Sequence, residues 1–233
     1  MDKAEFDQFA REYQQVHQQN IRHFRESPDY FAEYKIVDAA RVVGERLESS
    51  ALAMLDFGAG VGNSVPHVRR HLPRARLTCL DVSEQSLAIA EQRFPGEAEY
   101  RAFEGGDLPF PDQAFDLVFT ACVFHHIPHA EHAAILQEFR RVLRPGGVLV
   151  LFEHNPINPL TRKAVDTCPF DENAELIMPG AMRRRVGEAG FNRVNRRFRV
   201  FFPGFLRPLR VFERFMTWLP LGGQYYIAAS RPD

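Results

Sequence analysis

The sequence has few cysteines, no excess of either charge and no long apolar run. Cys79, Cys122 and Cys168 are odd in number and lack the paired spacing of a zinc site or a disulfide framework, so we interpret all three as reduced thiols. The 29 Lys and Arg residues nearly balance 30 Asp and Glu residues, which argues against nucleic acid as a partner. No window holds the roughly 18 consecutive apolar residues of a membrane span, and the first residues lack the features of a signal peptide. These absences predict a cytoplasmic protein without stable membrane insertion.

The order of apolar and polar segments predicts one α/β domain over all 233 residues. Residues 1–47 have the apolar spacing of helices and are expected to form an N-terminal helical cap. Residues 48–155 alternate short apolar runs with amphipathic stretches, which is typical of parallel strands joined by crossover helices. Residues 156–233 begin with an irregular stretch rich in Pro and Asn and contain the last strands. The predicted fold is a doubly wound, Rossmann-like sheet of seven strands.

Apolar runs and the stretches between them set the expected strands and helices. The predicted strands are residues 53–57, 76–81, 98–103, 115–121, 147–153, 193–202 and 225–230. The predicted helices are residues 61–71, 83–93, 131–143 and 181–189, the third ending at the turn Arg144-Pro145-Gly146-Gly147. Residues 203–221 are too long for a hairpin loop and are rich in Phe, Leu and Arg. We expect them to form a helical insertion before the last strand.

A glycine-rich turn follows the first predicted strand. Gly58 and Gly60 leave room for the backbone to approach a ligand at the start of the next helix. Asp81 ends the next predicted strand, where a carboxylate can accept hydrogen bonds from both hydroxyls of a ribose. Asp56, directly before the glycines, would repel a pyrophosphate but attract the ammonium group of a methionine moiety. The turn therefore favours a methionine-bearing nucleoside over a dinucleotide.

Further motifs follow in a characteristic order: Leu108-Pro109-Phe110-Pro111, Phe115-Asp116-Leu117-Val118, Phe124-His125-His126-Ile127 and Leu143-Arg144-Pro145-Gly146-Gly147. Together with the glycine turn, they resemble the class I S-adenosylmethionine (SAM)-dependent methyltransferases, and most closely the ubiquinone and menaquinone branch (methyltransferase type 11). The resemblance covers roughly residues 40–155. It implies transfer of a methyl group from SAM to a small-molecule acceptor, with S-adenosylhomocysteine as the product.

The resemblance also implies which residues contact the cofactor. Asp56 would act at the methionine end, the glycines would admit the cofactor, and Asp81 would hold the ribose. Glu104 is preferred over Asp107 for the adenine, and Tyr13 and residues 30–35 of the cap either fold over the cofactor or only attach the cap to the sheet. The expected cofactor-binding residues are Asp56, Gly58, Ala59, Gly60, Asp81, Val82, Glu104, Asp107, Ala121 and Tyr13.

Three histidines are candidate catalytic residues. His125 and His126 follow the fourth predicted strand and His154 ends the fifth, at the sheet edge where ligands bind. Each would act as a base for an acceptor hydroxyl, or would serve only as a structural anchor or a pocket wall. No metal site is expected, because no two of these residues have the helical spacing of metal ligands and the resemblance does not require a metal.

The C-terminal part is locally basic. From Arg183 onward arginines far outnumber acids, and they alternate with Phe and Leu residues. This pattern favours a helix with solvated arginines, and also fits a segment in peripheral contact with a membrane, a lid over an apolar acceptor or the surface of a homodimer. If it forms a lid, the acceptor would be amphipathic, such as a lipid-like or natural-product-like molecule.

Two other functions compete with methyl transfer. An NAD-dependent oxidoreductase is disfavoured by Asp56 and by the lack of a Tyr-x-x-x-Lys pair after the fourth predicted strand. A module that binds SAM without turnover has the same sequence motifs as an enzyme. Oxygen, nitrogen and carbon all remain as the methylated atom, and both a monomer and a homodimer fit the sequence.

Overall fold

The structure is a computed structural model that describes residues 27–48, 51–171 and 173–233. Within these residues, seven strands form a single sheet in the order β3-β2-β1-β4-β5-β7-β6. The strands are β1 Ala53–Phe57, β2 Arg76–Asp81, β3 Glu99–Ala102, β4 Phe115–Ala121, β5 Leu143–His154, β6 Asn192–Arg199 and β7 Gln224–Ser230. The first five strands are parallel, and β7 runs antiparallel to both of its neighbours. This topology confirms the predicted doubly wound fold.

Helices cover both faces of this sheet. They are α1 Pro28–Arg46, α2 Val65–His71, α3 Glu84–Arg93, α4 His132–Val142, α5 Pro159–Asp166, α6 Pro179–Glu188 and α7 Glu213–Met216. Short 3₁₀ helices occur at Phe124–His126, Pro169–Asp171 and Gly204–Phe212. Tyr13 and the rest of residues 1–26, where part of the helical cap is expected, lie outside the described residues.

The core consists of two apolar layers, one on each face of the sheet. β1 is buried at every position, which is typical of a central parallel strand. Leu55 packs in one layer with Phe139 of α4, whereas Met54 packs in the other with Val43 of α1. Because neighbouring side chains of a strand point to opposite faces, β1 supports both layers and its end is held rigidly.

Several boundaries differ from the predicted ones, and each has a local cause. The predicted helix 61–71 begins only at Val65, because Pro66 favours the first helical turn and glycines precede it. α5 lies in a stretch predicted to be irregular, and the Asn158 side chain caps it by accepting hydrogen bonds from Leu160 N and Thr161 N. β5 begins at Leu143 rather than at 147, with a register shift against β4.

The expected helical insertion is present between β6 and β7. It consists of the 3₁₀ helix at Gly204–Phe212 followed by α7. Buried Glu213 anchors it by accepting hydrogen bonds from the backbone N–H groups of Phe201 and Phe202, each at 3.0 Å. In the described part of the chain, no helix combines the length and the apolar character that a membrane crossing requires.

Candidate active site

A cavity of about 350 Å³ lies at the carboxyl ends of the central strands. Its wall combines the turn after β1, the ends of β2, β4 and β5, one side of α1, the first turns of α5, and Val200, Phe201 and Pro203. In doubly wound sheets, ligands bind outside the carboxyl ends of the strands. The cavity is therefore the candidate active site.

The two glycines of the turn after β1 serve different purposes. Both have a positive φ, +76° for Gly58 and +52° for Gly60, which side chains disfavour. A Cβ atom on Gly58 would collide with the side chain of Val123, so this glycine is required by packing. A Cβ atom on Gly60 would have nothing within 4 Å. Because Gly60 lines the cavity, the space beside it is available to a ligand.

Asp81 is held in a defined orientation at the end of β2. Its Oδ2 accepts a hydrogen bond from Gly60 N at 2.8 Å and its Oδ1 accepts one from Ser83 N at 2.9 Å. These bonds orient the carboxylate on the cavity wall, where it can face the hydroxyls of a ribose. The bond to Gly60 also couples the carboxylate to the glycine turn.

Asp56 is a buried acid on the cavity wall. It accepts a hydrogen bond from the Ser64 hydroxyl, and its side chain is close enough to Lys35 and Asp81 for their charges to act on it. Burial raises the pKa of Asp56 to about 7, and the repulsion from Asp81 adds to this effect, while Ser64 and Lys35 oppose it. A cationic group in the cavity would stabilise the charged carboxylate, which fits the ammonium group of a methionine moiety.

His125 forms the centre of an ion-paired cluster. Its Nδ1 lies 2.6 Å from Glu153 Oε2, and its Nε2 lies 3.4 Å from Asp171 Oδ1. Burial opposes the charge on His125, but the two carboxylates together raise its pKa to about 10. Glu153 also accepts hydrogen bonds from the N–H groups of Val123 and Phe124 at 3.1 and 2.8 Å. His125 is therefore a fixed imidazolium at neutral pH.

The other two histidines also line the cavity, in different electrostatic environments. Burial and the charge on His125 lower the pKa of His126 to about 4, although Asp171 lies 3.5 Å from its Nε2. Burial also disfavours a charge on His154, but interaction with Cys122 raises its pKa. His126 is thus neutral at neutral pH, whereas His154 has a higher proton affinity.

Cys122 and Lys35 were not identified as site residues from the sequence. Lys35 Nζ of α1 lies 3.4 Å from Cys122 Sγ, and both residues line the cavity. Burial opposes ionisation of the thiol, but Lys35 and His154 lower its pKa to about 7. Cys122 also has φ +59°, which is uncommon for a residue other than glycine. The sequence placed Lys35 only within the cap segment 30–35, which was expected either to fold over the cofactor or to attach the cap to the sheet. It did not indicate that the Lys35 side chain reaches Cys122 at the end of β4.

Nine of the residues predicted from the sequence line the cavity, namely Asp56, Gly58, Ala59, Gly60, Asp81, Ala121, His125, His126 and His154. Val82 is buried outside its wall. Glu104 and Asp107 lie on an exposed turn, also outside the wall. Contacts of these three residues with a cofactor therefore stay predictions, as does the contact expected of Tyr13, which lies outside the described residues.

Asp171 was missed by sequence reasoning, although it completes a cluster of ligand-type atoms. One such atom each of His125, His126 and Asp171 lies within 4.8 Å of the other two. Spacing along one helix could not have revealed this cluster, because Asp171 belongs to a 3₁₀ turn that is distant in sequence from the two histidines. Both ring nitrogens of His125 already face carboxylates, so the ion pairs account for this arrangement without a metal.

Comparison with known proteins finds a family match over the strands that carry much of the cavity wall. Residues 55–151, from β1 through most of β5, match the family described as "Methyltransferase domain". Residues 55–151 therefore belong to a methyltransferase domain of this family. Its sequence is 35% identical over 118 residues to the demethylmenaquinone methyltransferase of Thermotoga maritima, covering 51% of this chain and 50% of that protein. It is 32% identical over 162 residues to the trans-aconitate 2-methyltransferase of Methylobacterium nodulans, covering 67% and 60%.

The fold of the methyltransferase domain is shared with solved structures. A Thermotoga maritima protein described as "SAM-dependent methyltransferase, possible histamine N-methyltransferase" superposes with a TM-score of 0.67 at 17% identity, over 98% of this chain and 99% of the other. The chain spans 50% and 60% of the lengths of the two curated relatives. The family match ends before His154 and Asp171, so it covers the turn after β1 and the ends of β2 and β4 but not the cavity residues beyond 151.

Proposed function

We propose that this protein is an enzyme that transfers a methyl group from SAM to a small, amphipathic acceptor. The proposal rests on one observation above all. A single cavity joins the glycine turn and Asp81 of the methyltransferase domain to the cluster of ionisable residues around His126. A cofactor and an acceptor would therefore meet inside one cavity.

The residues on the cofactor side fit SAM. The open space beside Gly60 would admit it, Asp81 would accept hydrogen bonds from the ribose, and Asp56 would attract the ammonium group. SAM supplies a methyl group on a sulfonium sulfur, which a nucleophilic atom of the acceptor attacks. The protein must therefore align the acceptor and hold its proton, and no further cofactor is required.

The cavity wall formed by α5 and the residues after β6 carries apolar side chains beside the polar Asn158 and Thr161. Leu160 of α5, Phe201 and Pro203 form this part of the wall. An acceptor that fits here has an apolar portion against these residues and a polar portion that reaches His126. This distribution supports an amphipathic molecule rather than a small polar acid.

For an acceptor hydroxyl, His126 would be the proton acceptor. It is neutral because burial and the charge on His125 lower its pKa to about 4. Such an imidazole is a weak base, but a hydroxyl becomes strongly acidic as its oxygen gains a methyl group, so transfer of the proton becomes favourable late in the reaction. His125, fixed between Glu153 and Asp171, would act as a positioning residue.

The decisive test is calorimetric titration of the full chain with SAM, S-adenosylhomocysteine and NADH. Binding of the first two without NADH is expected, followed by conversion of SAM to S-adenosylhomocysteine when acceptors are screened. Binding of NADH alone would refute the proposal, and SAM binding without turnover on any amphipathic hydroxyl, amine or carbon acceptor would favour a non-enzymatic module. Among the histidines, His126→Gln should lower turnover by about 10²- to 10⁴-fold and His154→Gln by less, at unchanged SAM affinity.

A further inference from the structure

The helical insertion presents an apolar surface to solvent. We define the insertion surface as residues 204–221. Six of its large apolar side chains are more than half exposed: Phe205, Val211, Phe212, Phe215, Trp218 and Leu221, with Trp218 at 71%. Large apolar groups exposed side by side are unusual on a monomer and mark a site of interaction.

All exposed charge on the insertion surface is positive. Arg207 and Arg214 point to solvent, and the guanidinium of Arg214 lies 4.6 Å from the ring centre of Phe215. Glu213, the single acid of these residues, is buried and bonded to backbone N–H groups. Arg210 is turned inward, where it donates to Phe202 O and stacks on Tyr30. Exposed aromatic and aliphatic groups among cations match the interface of an anionic bilayer.

The insertion surface continues to the wall of the cavity. Asn158 Nδ2 donates to Leu221 O at 2.7 Å, and Thr161 Oγ1 donates to Gly223 O at 2.9 Å, so α5 is attached to the end of the insertion. On α5, Leu160 is 54% exposed and also lines the cavity. Arg162 and Lys163, the neighbouring residues, are exposed as well. The cavity therefore reaches the molecular surface beside the insertion.

We propose that the insertion surface, together with Leu160, docks onto the surface of an anionic lipid membrane. The apolar side chains would enter the headgroup region, and Arg207 and Arg214 would contact lipid phosphates. A second copy of the chain fits less well, because a symmetric interface would bring these arginines close to their own counterparts. Resting on the proposed function, the acceptor would be a membrane-resident amphipathic molecule that enters the cavity past Leu160.

Trp218 makes the docking directly measurable, because it is the single tryptophan of the chain. Vesicles of phosphatidylcholine with about 30% phosphatidylglycerol should shift its emission to the blue and should carry the full-length protein upward in a flotation assay. Pure phosphatidylcholine vesicles should bind much less, and added salt should weaken binding. Absence of a shift and of flotation with the anionic vesicles would overturn the proposal.

Two matched variants test the role of the arginines. Arg207→Gln with Arg214→Gln should weaken vesicle binding by about 25-fold, since each basic residue at an anionic surface contributes roughly a factor of five. Arg183→Gln with Arg184→Gln on α6 removes the same charge from exposed positions outside the insertion surface and should leave binding nearly unchanged. Equal losses in both variants would show unspecific charge attraction and refute a defined docking surface.

Two further measurements separate this proposal from its alternatives. A blue shift that depends on protein concentration without vesicles, together with the mass of a dimer, would identify a second copy as the occupant and overturn membrane docking. SAM affinity should be the same in all these variants, because none of the changed residues lines the cavity. Vesicle binding without SAM binding would uphold the docking surface and refute the proposed function, so the two failures are distinguishable.

Discussion

A series of three glycines tests whether the space beside Gly60 belongs to SAM. Gly58, Gly60 and Gly96 all have a positive φ, so a change to alanine strains the backbone at each of them. They differ in what a Cβ atom would meet: the Val123 side chain at Gly58, and nothing within 4 Å at Gly60 and at Gly96. Gly96 lies in an exposed turn outside the cavity wall and is the matched control.

The expected magnitudes follow from these surroundings. The left-handed conformation of an alanine costs about 1 to 2 kcal/mol, so Gly60→Ala and Gly96→Ala should lower the Tm by similar amounts of about 2 to 8 °C. Gly58→Ala should lower it further, because the collision with Val123 adds about 1 to 3 kcal/mol. A methyl group forced against a bound ligand at Gly60 costs a similar 1 to 3 kcal/mol, or about 5- to 150-fold in affinity.

Differential scanning fluorimetry and calorimetry with SAM measure the two effects separately. Gly60→Ala should lose SAM affinity while Gly96→Ala keeps it, although both proteins lose the same stability. If Gly60→Ala binds SAM as tightly as the unmodified protein, the cofactor does not occupy this space. If Gly96→Ala loses as much affinity as Gly60→Ala, backbone strain rather than contact explains the result.

Three further outcomes follow from the charges of the site. Asp81→Ala should weaken SAM binding by about 1 to 3 kcal/mol, measured by calorimetry, and unchanged affinity would contradict the ribose assignment. SAM affinity should increase as the pH rises from 6 to 8 and Asp56, with its pKa of about 7, loses its proton; in Asp56→Asn this pH dependence should vanish. The pKa of His125 in the folded protein is raised to about 10. Its ion pairs therefore add their full contribution to the free energy of unfolding below the ordinary histidine pKa, and this contribution is lost as the pH rises towards and through 10. Thermal unfolding between pH 6 and 10 should show this loss in the unmodified protein and a weaker pH dependence in Glu153→Gln.

The central sheet was predictable because each parallel strand is a short apolar run between turn residues. The predicted bounds 53–57, 76–81 and 115–121 coincide with β1, β2 and β4. The predicted boundary was wrong where pairing with a neighbouring strand lengthens an element. β5 begins at Leu143 because that residue pairs with Phe115 of β4, before the register between the two strands shifts. A Pro-Gly-Gly segment has low strand propensity on its own, so only the neighbouring strand explains its extended conformation.

Within the candidate site, the predictable residues are those that lie at the ends of predicted strands. Asp56, Asp81 and His154 were identified because the carboxyl ends of parallel strands meet at one edge. Lys35 and Asp171 carry no such signal, since Lys35 is separated from Cys122 by 87 residues and belongs to a helix, while Asp171 belongs to an isolated 3₁₀ turn. Their roles depend on how helices pack over the sheet, which hydrophobic periodicity does not specify.

One part of the cavity wall lies inside the family match and another part lies beyond it, and this bears on which acceptor the cavity can take. The family match contains the glycine turn and Asp81, whose geometry is fixed by buried parallel strands, whereas Leu160 and Phe201 belong to segments beyond residue 151. The segment of Leu160 is attached through side-chain bonds such as Asn158 to Leu221 O, and Phe201 follows the end of the edge strand β6, so both can vary with little effect on the centre of the sheet. Relatives that share the matched region can therefore methylate different molecules. In this chain, Leu160 lines the cavity and is also half exposed beside the insertion, so with the proposed membrane docking an apolar acceptor would enter the site past this side chain.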